Sequence, residues 1–154
     1  MLVAGKLSKQ QLHDFEEMEE EGFEGYFEAG EARPFIPEGI YKARCIKIEK
    51  GNYYGSPKIN LIFQITESYE HEGVEIPMYM PAYKKVPAAS KYYEQWIIAN
   101  GNKPSRKDKM TPLIFKGHLF EAVVKTVKPK NKDGSYKPEN LHYSKVDYLK
   151  DKIN

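Results

Sequence analysis

The fold is decided by residues 38–66, EGIYKARCIKIEKGNYYGSPKINLIFQIT. In its second half, apolar residues from Ile59 to Ile65 recur at a spacing of two, which predicts a strand with one buried face. In its first half, the apolar residues keep one register up to Cys45 and the other from Ile46 onward. A switch of this kind predicts a β-bulge, which lets a strand bend around a small core. The stretch therefore predicts a bent strand hairpinned to a regular one, as at the start of a small β-barrel.

Behind this hairpin, the sequence predicts three more strands and one helix. They are expected at residues 74–80 (strand), about 88–100 (helix), 113–128 (strand) and 141–149 (strand). Pro77 and Pro81 confine the third strand to a sheet edge or a bulged pairing. The helix shows apolar residues at helical spacing, and Asn100-Gly101 stops it. The fourth strand shows two possible inward sets of side chains, and Asp133-Gly134 marks the tip of the loop behind it.

Composition bounds the class of protein. The 154 residues include one cysteine, so no intramolecular disulfide and no thiolate metal cluster is expected. No apolar run is long enough to cross a bilayer, and the N-terminus lacks a signal-peptide pattern. These features predict a cytoplasmic protein, in the host cytosol if a phage encodes it, with no membrane partner.

The charge is distributed unevenly along the chain. Residues 1–32 hold nine carboxylates and two lysines, net −7, whereas residues 33–154 carry a net charge of +9. Low hydrophobicity and three glycines between residues 22 and 30 predict an acidic, largely disordered N-terminal arm, 1–33, ahead of one domain, 34–154. Such an asymmetry indicates a polyanionic partner for the basic domain. The alternative for the arm is a solvated tail that only aids solubility.

Catalytic and metal-binding patterns are missing from the sequence. The four histidines have neither metal-ligand spacing nor an acidic partner at fixed spacing. Cys45 lies within a predicted strand, which is typical of a small buried apolar residue. Residues 51–55 lack the ending and the following helix of a phosphate-binding loop. We therefore expect no enzyme activity, no cofactor and no bound metal.

Basic residues alternate with tyrosines in three clusters: the first hairpin, the third strand with the segment after it, and the long loop before the last strand. The candidate nucleic-acid-binding residues are Lys42, Arg44, Lys47, Lys50, Tyr53, Tyr54, Lys58, Tyr79, Tyr83, Lys84, Lys85, Lys128, Lys130, Lys132, Tyr136 and Lys137. Single-stranded nucleic acid is bound by cations that track the phosphates and by rings on which bases stack. The alternative is that these lysines solvate strand faces and the tyrosines cap the barrel ends.

The predicted order β-β-β-α-β-β is that of the OB-fold, a five-stranded Greek-key barrel. Over residues 37–149 the chain resembles the small single-stranded-DNA-binding proteins of phage and plasmid replication modules. The resemblance lies in Pro37-Glu38-Gly39-Ile40-Tyr41, Asn60-Leu61-Ile62-Phe63-Gln64-Ile65, Gly73, Tyr92-Tyr93-Glu94-Gln95-Trp96 and Lys116-Gly117. It implies an OB-like barrel that coats single strands. In the bacterial members the acidic tail is C-terminal, whereas here the acidic segment leads.

These observations predict a mainly β, OB-like protein that binds single-stranded DNA with little sequence preference. The expected role is protection of DNA during replication or recombination of a phage or mobile element. Replication or recombination proteins are candidate partners of the acidic arm, and a homo-oligomer is left open. Two alternatives remain: an RNA-binding OB module, and a protein-interaction adaptor that uses the acidic aromatic arm.

Overall fold

The computed structural model describes residues 32–154, so most of the predicted acidic arm lies outside the described residues. Within that range the chain forms five strands, one α-helix and two short 3-10 helices. The strands are β1 (Gly39–Tyr53), β2 (Ser56–Ile65), β3 (Glu75–Pro81), β4 (Leu119–Val127) and β5 (Tyr143–Lys152). The α-helix, α1, spans Lys91–Asn100, and the 3-10 helices span Pro112–Ile114 and Glu139–Leu141. The prediction of a mainly β fold is confirmed.

The five strands form one antiparallel sheet in the order β3-β2-β1-β4-β5. The 15-residue β1 lies at the centre because its first half pairs with β4 and most of its length pairs with β2. The two outer strands, β3 and β5, also contact each other. The sheet therefore curves far enough to bring its two ends together.

The predicted bulge in β1 is confirmed. Cys45 lies opposite Phe63 and Lys47 lies opposite Ile62, so the register shifts at Ile46. Ala43 and Cys45 are buried before the shift, and after it Ile48, opposite Leu61, packs against the core. Because one extra residue reverses the alternation, both halves of the strand present apolar side chains to the same interior.

The predictions for β2 and β3 are also confirmed. Leu61, Phe63 and Ile65 are buried, and the residues between them are only partly buried. The prolines of β3 fit its position at the end of the sheet, because an outer strand can leave one row of backbone groups unpaired.

Helix α1 begins later than predicted, at Lys91, where Ser90 caps it by accepting a hydrogen bond from the Tyr93 backbone N–H. It ends at Gly101, whose φ of 81° is a left-handed conformation that suits glycine. Tyr92 and Trp96 are buried, whereas Ile97 is half-buried. Buried Gln95 also joins the helix to the sheet, because its Oε1 accepts the backbone N–H of Leu149.

The prediction that β4 begins at residue 113 is wrong. Thr111 caps a 3-10 helix there by accepting a hydrogen bond from the Leu113 N–H, with Pro112 in the first position. Gly117, at φ 83°, then turns the chain, and its N–H donates to the Cys45 carbonyl at 2.7 Å. The strand therefore starts at Leu119. Of its two possible inward sets, Leu119/Val123/Val127 and Phe120/Ala122/Val124, the second is fully buried, and Val123 of the first is 7% exposed.

The last strand is also displaced from its predicted range. Leu141 belongs to the second 3-10 helix, and β5 starts at Tyr143 and continues to Lys152. The loop tip at Asp133-Gly134 is confirmed, because Gly134 has a φ of 91° and its N–H donates to the Asn131 carbonyl.

Within residues 32–154, no helix is long and apolar enough to cross a membrane.

Candidate nucleic-acid interface

A cleft of about 370 Å³ opens on the outer face of the β1–β2–β3 sheet, beside the start of β5. Its lining residues are Arg33, Gly51, Asn52, Tyr53, Lys58, Asn60, Tyr79 and Tyr143. Three of the predicted residues, Tyr53, Lys58 and Tyr79, therefore line one cleft together. The lining carries two cations and three phenol rings. Glu49, opposite Asn60 in the strand register, is not among the lining residues and pairs with Lys47.

The floor of the cleft follows from the strand register. Asn60 of β2 lies opposite Glu49 of β1 on one side and Tyr79 of β3 on the other. One step toward the hairpin tip, Lys58 lies between Gly51 and Pro81. Residues directly opposite on antiparallel strands point to the same face. Two rows of three residues therefore cross the sheet on the face opposite the core.

Gly51 and Asn60 shape the middle of this floor. A Cβ at Gly51 would lie 3.5 Å from Asn60 Nδ2, so the missing side chain leaves room above the sheet. Asn60 Oδ1 is buried and has no hydrogen-bond partner among the described residues. Buried acceptors are normally paired, so this oxygen marks an unsatisfied polar position in the floor of the cleft.

Arg33 and Tyr143 form the wall that faces the hairpin. The Arg33 guanidinium carbon lies 4.2 Å from the centre of the Tyr143 ring, within the range of a cation–π contact. The following backbone is fixed to β5, because Ser144 donates its N–H to the Pro34 carbonyl and accepts the Ile36 N–H on Oγ. Arg33, the last residue of the predicted arm, is exposed but lies at the cleft.

Tyr79 lies between these two sides and keeps 40% of its surface exposed. Partial burial is the main cause that raises its pKa, and Tyr143 and Glu49 add to the rise while Arg33 opposes it. The phenol therefore remains protonated at neutral pH and can donate a hydrogen bond. Its exposed ring can also stack on a base.

The hairpin tip carries the two adjacent tyrosines. Tyr53 and Tyr54 are 64% and 92% exposed, and their rings meet edge to face with centroids 4.5 Å apart. Tyr54 and Gly55 have φ angles of 48° and 82°, as in the two-residue turns that join twisted strands. Asn52 Oδ1 holds the turn by accepting the Gly55 N–H at 2.8 Å. This turn places the Tyr53 ring at the rim of the cleft, whereas Tyr54 is not one of the lining residues.

Three predicted residues of β1 form ion pairs or hydrogen bonds outside the cleft. Lys42 forms an ion pair with Glu67 at 3.0 Å, and Arg44 donates to the Gly117 carbonyl. Lys47 pairs with Glu49 at 2.9 Å, and the hydrogen bond and charge of that carboxylate raise the Lys47 pKa. These residues do not line the cleft, and neither does the exposed Lys50.

Apart from Tyr79, the residues of the other two predicted clusters lie outside the cleft. Tyr83, Lys84 and Lys85 line a second groove. All five predicted residues of the long loop are exposed, and a backbone bridge pairs Lys130 with Tyr136. The Lys130 ammonium lies 5.2 Å from the Tyr136 ring centre. Lys128, Lys132 and Lys137 point to solvent. The structure thus brings Tyr53 and Lys58 of the first cluster together with Tyr79 of the second. The other predicted residues do not line this cleft.

Arg33, Asn60 and Tyr143 were not predicted as site residues, although each had a signal in the sequence. Arg33 is the first cation after a run of carboxylates, and Tyr143 occupies an outward position of the last strand. Asn60 lies on the outward face of β2 next to Lys58, within a strand that was correctly predicted.

The described residues offer little for metal or thiol chemistry. Within residues 32–154, no group of three or more His, Cys, Asp or Glu side chains could hold a metal ion. Cys45 is fully buried, as predicted, and burial raises the pKa of its thiol to about 11. This thiol is therefore protonated and inert at neutral pH.

Comparison with known proteins gives no assignment. No protein-family model matches the chain, and no curated protein matches it. The resemblance to single-stranded-DNA-binding proteins stays a prediction, and the function is inferred from the residues of the cleft.

Proposed function

We propose that this protein binds single-stranded DNA in the cleft on the outer face of β1–β3. The observation that carries the proposal is the convergence of Tyr53, Tyr79 and Tyr143 with the cations Arg33 and Lys58 on one surface. Bases of any sequence can stack on phenol rings, and cations neutralise the phosphates between them. A site of this composition favours a single strand, because the bases of a duplex are stacked on one another.

The arrangement of strands supports an OB-fold for the domain. The order β3-β2-β1-β4-β5, with β3 and β5 in contact, is the order expected of that barrel when it is opened between its third and fifth strands. In OB-folds, the face of strands 2 and 3 and the adjoining loops bind oligonucleotides. The cleft occupies the corresponding face, between the β1–β2 hairpin and the start of β5.

The chemistry of the cleft also supports low sequence preference. Its lining offers three phenol rings and two cations, beside the amides of Asn52 and Asn60. Stacking and phosphate contacts act on every sequence alike. The proposed role is therefore to sheathe single strands and protect them, as in replication or recombination of a phage or mobile element.

Titration of fluorescently labelled oligo-dT, monitored by anisotropy, tests this function. Each phosphate contact on a single strand adds about −0.7 to the slope of log K against log salt. With two to four contacts, affinity should fall roughly 7- to 50-fold between 50 and 200 mM salt. Oligo-rU and a duplex of equal length serve as competitors. Absence of binding at 50 mM salt would refute the proposal, and a strong preference for rU would make RNA the ligand.

A further inference from the structure

A second, larger groove lies between the loop that comes after β3 and the loop that comes after α1. Its volume is about 900 Å³. Its lining residues are Tyr83, Lys84, Lys85, Val86, Lys107, Asp108, Lys109, Met110 and Thr111. Lys107 and Lys109 come from a loop that the sequence did not connect with binding. The fold thus places two pairs of lysines, more than 20 positions apart in the chain, around one groove.

The groove has a strongly positive character. Among the described residues that line it, the only carboxylate is Asp108, and Arg106 already pairs with it through Nε and Nη2 at 3.3 and 2.9 Å. The four lysines are exposed, and none of them forms an ion pair among the described residues. Clustered, unneutralised cations raise the local concentration of a polyanion.

The wall of the groove is held in place by the buried face of α1. The Tyr92 hydroxyl donates to the Met110 carbonyl at 2.6 Å, and Trp96 Nε1 donates to the Thr111 carbonyl at 3.1 Å. Burial raises the pKa of Tyr92 to about 12, so its hydroxyl stays protonated and keeps this bond. The half-buried Val86 and Met110 pack against the core. The groove is therefore supported by core packing on both sides.

A short stretch of backbone at the end of β3 connects the cleft with the groove. Pro81 closes the row that contains Gly51 and Lys58, and the next residue, Ala82, donates its N–H to the Pro57 carbonyl at 3.0 Å. Tyr83 comes immediately afterwards and is 41% exposed. A strand that leaves the cleft past Lys58 thus meets an exposed ring and then the four lysines.

We propose that the groove lined by Lys84, Lys85, Lys107 and Lys109 binds the phosphates of the same single strand beyond the cleft. This inference rests on the proposed function and extends it. Short oligonucleotides then fill the cleft alone, and longer ones gain affinity and salt dependence from the groove. OB-folds bind about 4 to 16 nucleotides, so oligo-dT of about 5 and about 15 nucleotides separates the two cases.

The test compares the wild-type protein with a variant that carries Lys107→Ala and Lys109→Ala. Affinity for the long oligonucleotide should fall roughly tenfold, and the salt slope should decrease by about 1.4, because two phosphate contacts are lost. Affinity for the short oligonucleotide should stay within about twofold of wild type. The matched control carries Lys125→Ala and Lys152→Ala, which removes the same charge from exposed positions outside both surfaces.

Each outcome decides the inference. Equal losses on short and long oligonucleotides, or losses no greater than those of the control, would overturn it while leaving the proposed function intact. If the wild-type protein binds the short oligonucleotide and gains nothing from the longer one, the groove is not part of the path. If the wild-type protein binds neither, the proposed function fails and the inference with it.

Discussion

Replacing Tyr79 and Tyr143 together by alanine should weaken the binding of oligo-dT by at least about 30-fold. The Tyr79 ring lies in the floor of the cleft and the Tyr143 ring in its wall, where the Arg33 guanidinium contacts it. Loss of stacking on an aromatic side chain weakens binding by about 1–3 kcal/mol per base, and about 1.4 kcal/mol corresponds to a factor of ten. Anisotropy titration at fixed salt measures the effect directly.

The chain contains a close control for this double variant. Tyr148 lies on β5 outside the cleft and is 44% exposed, against 40% for Tyr79, and Tyr69 is fully exposed. A variant with Tyr69→Ala and Tyr148→Ala removes the same chemical groups from other surfaces. We expect it to bind like the wild type. Similar losses in the two double variants, at equal thermal stability, would show that the tyrosines do not act through the cleft.

Deleting residues 1–32 should tighten oligo-dT binding by about tenfold at low salt. The deleted segment has a net charge of −7 and carries phenyl rings among its carboxylates, so its chemistry resembles that of phosphates and bases. We therefore expect it to compete with DNA for the basic cleft. It is joined to the domain at Arg33, which lines the cleft. A tether of this kind gives a local concentration of about 1 mM, so an arm that binds with an affinity on the order of 0.1 mM competes about tenfold.

Two comparisons separate charge from other effects of the deletion. In the first, the nine carboxylates of residues 1–32 are replaced by amides in the full chain, which keeps its length. This variant should bind as tightly as the deleted one. In the second, the full chain and the deleted chain are compared at high salt. The gain in affinity on deletion should be smaller there, since salt screens the attraction between exposed charges. Unchanged affinity on deletion would contradict competition by the arm and favour its role as a solvated tail.

The regular parts of the fold were predictable because side-chain periodicity is written directly in the sequence. The alternation of buried and exposed residues in β2 was predicted correctly. The register shift at Ile46 in β1 was also predicted correctly. The start of β4 was not, because Leu113, Ile114 and Phe115 resemble a strand by composition. There the cap from Thr111 and the left-handed Gly117 override β propensity, and neither is visible as periodicity.

The site was predictable only in part, because it depends on contacts between distant segments. Lys58 and Tyr79 were found from the outward positions of their strands, which the cross-strand register then aligns. Arg33 and Tyr143 meet only because Ser144 binds the backbone of Pro34 and Ile36, and no local pattern reveals that pairing. Lys42 was correctly placed on an outward face, yet its position along β1 brings it to Glu67 instead of the cleft.

If single-stranded DNA occupies the cleft on β1–β3, ultraviolet crosslinking to oligo-dT should modify the tyrosines of the cleft, and mass spectrometry identifies the modified residues. Tyrosines are spread over the described surface, so the protein carries its own controls. We expect crosslinks at Tyr53, Tyr79 and Tyr143, which an excess of unlabelled oligo-dT removes. Tyr69 and Tyr148, both exposed away from the cleft, should stay unmodified. Crosslinks at those two residues, with none at the cleft tyrosines, would contradict the account.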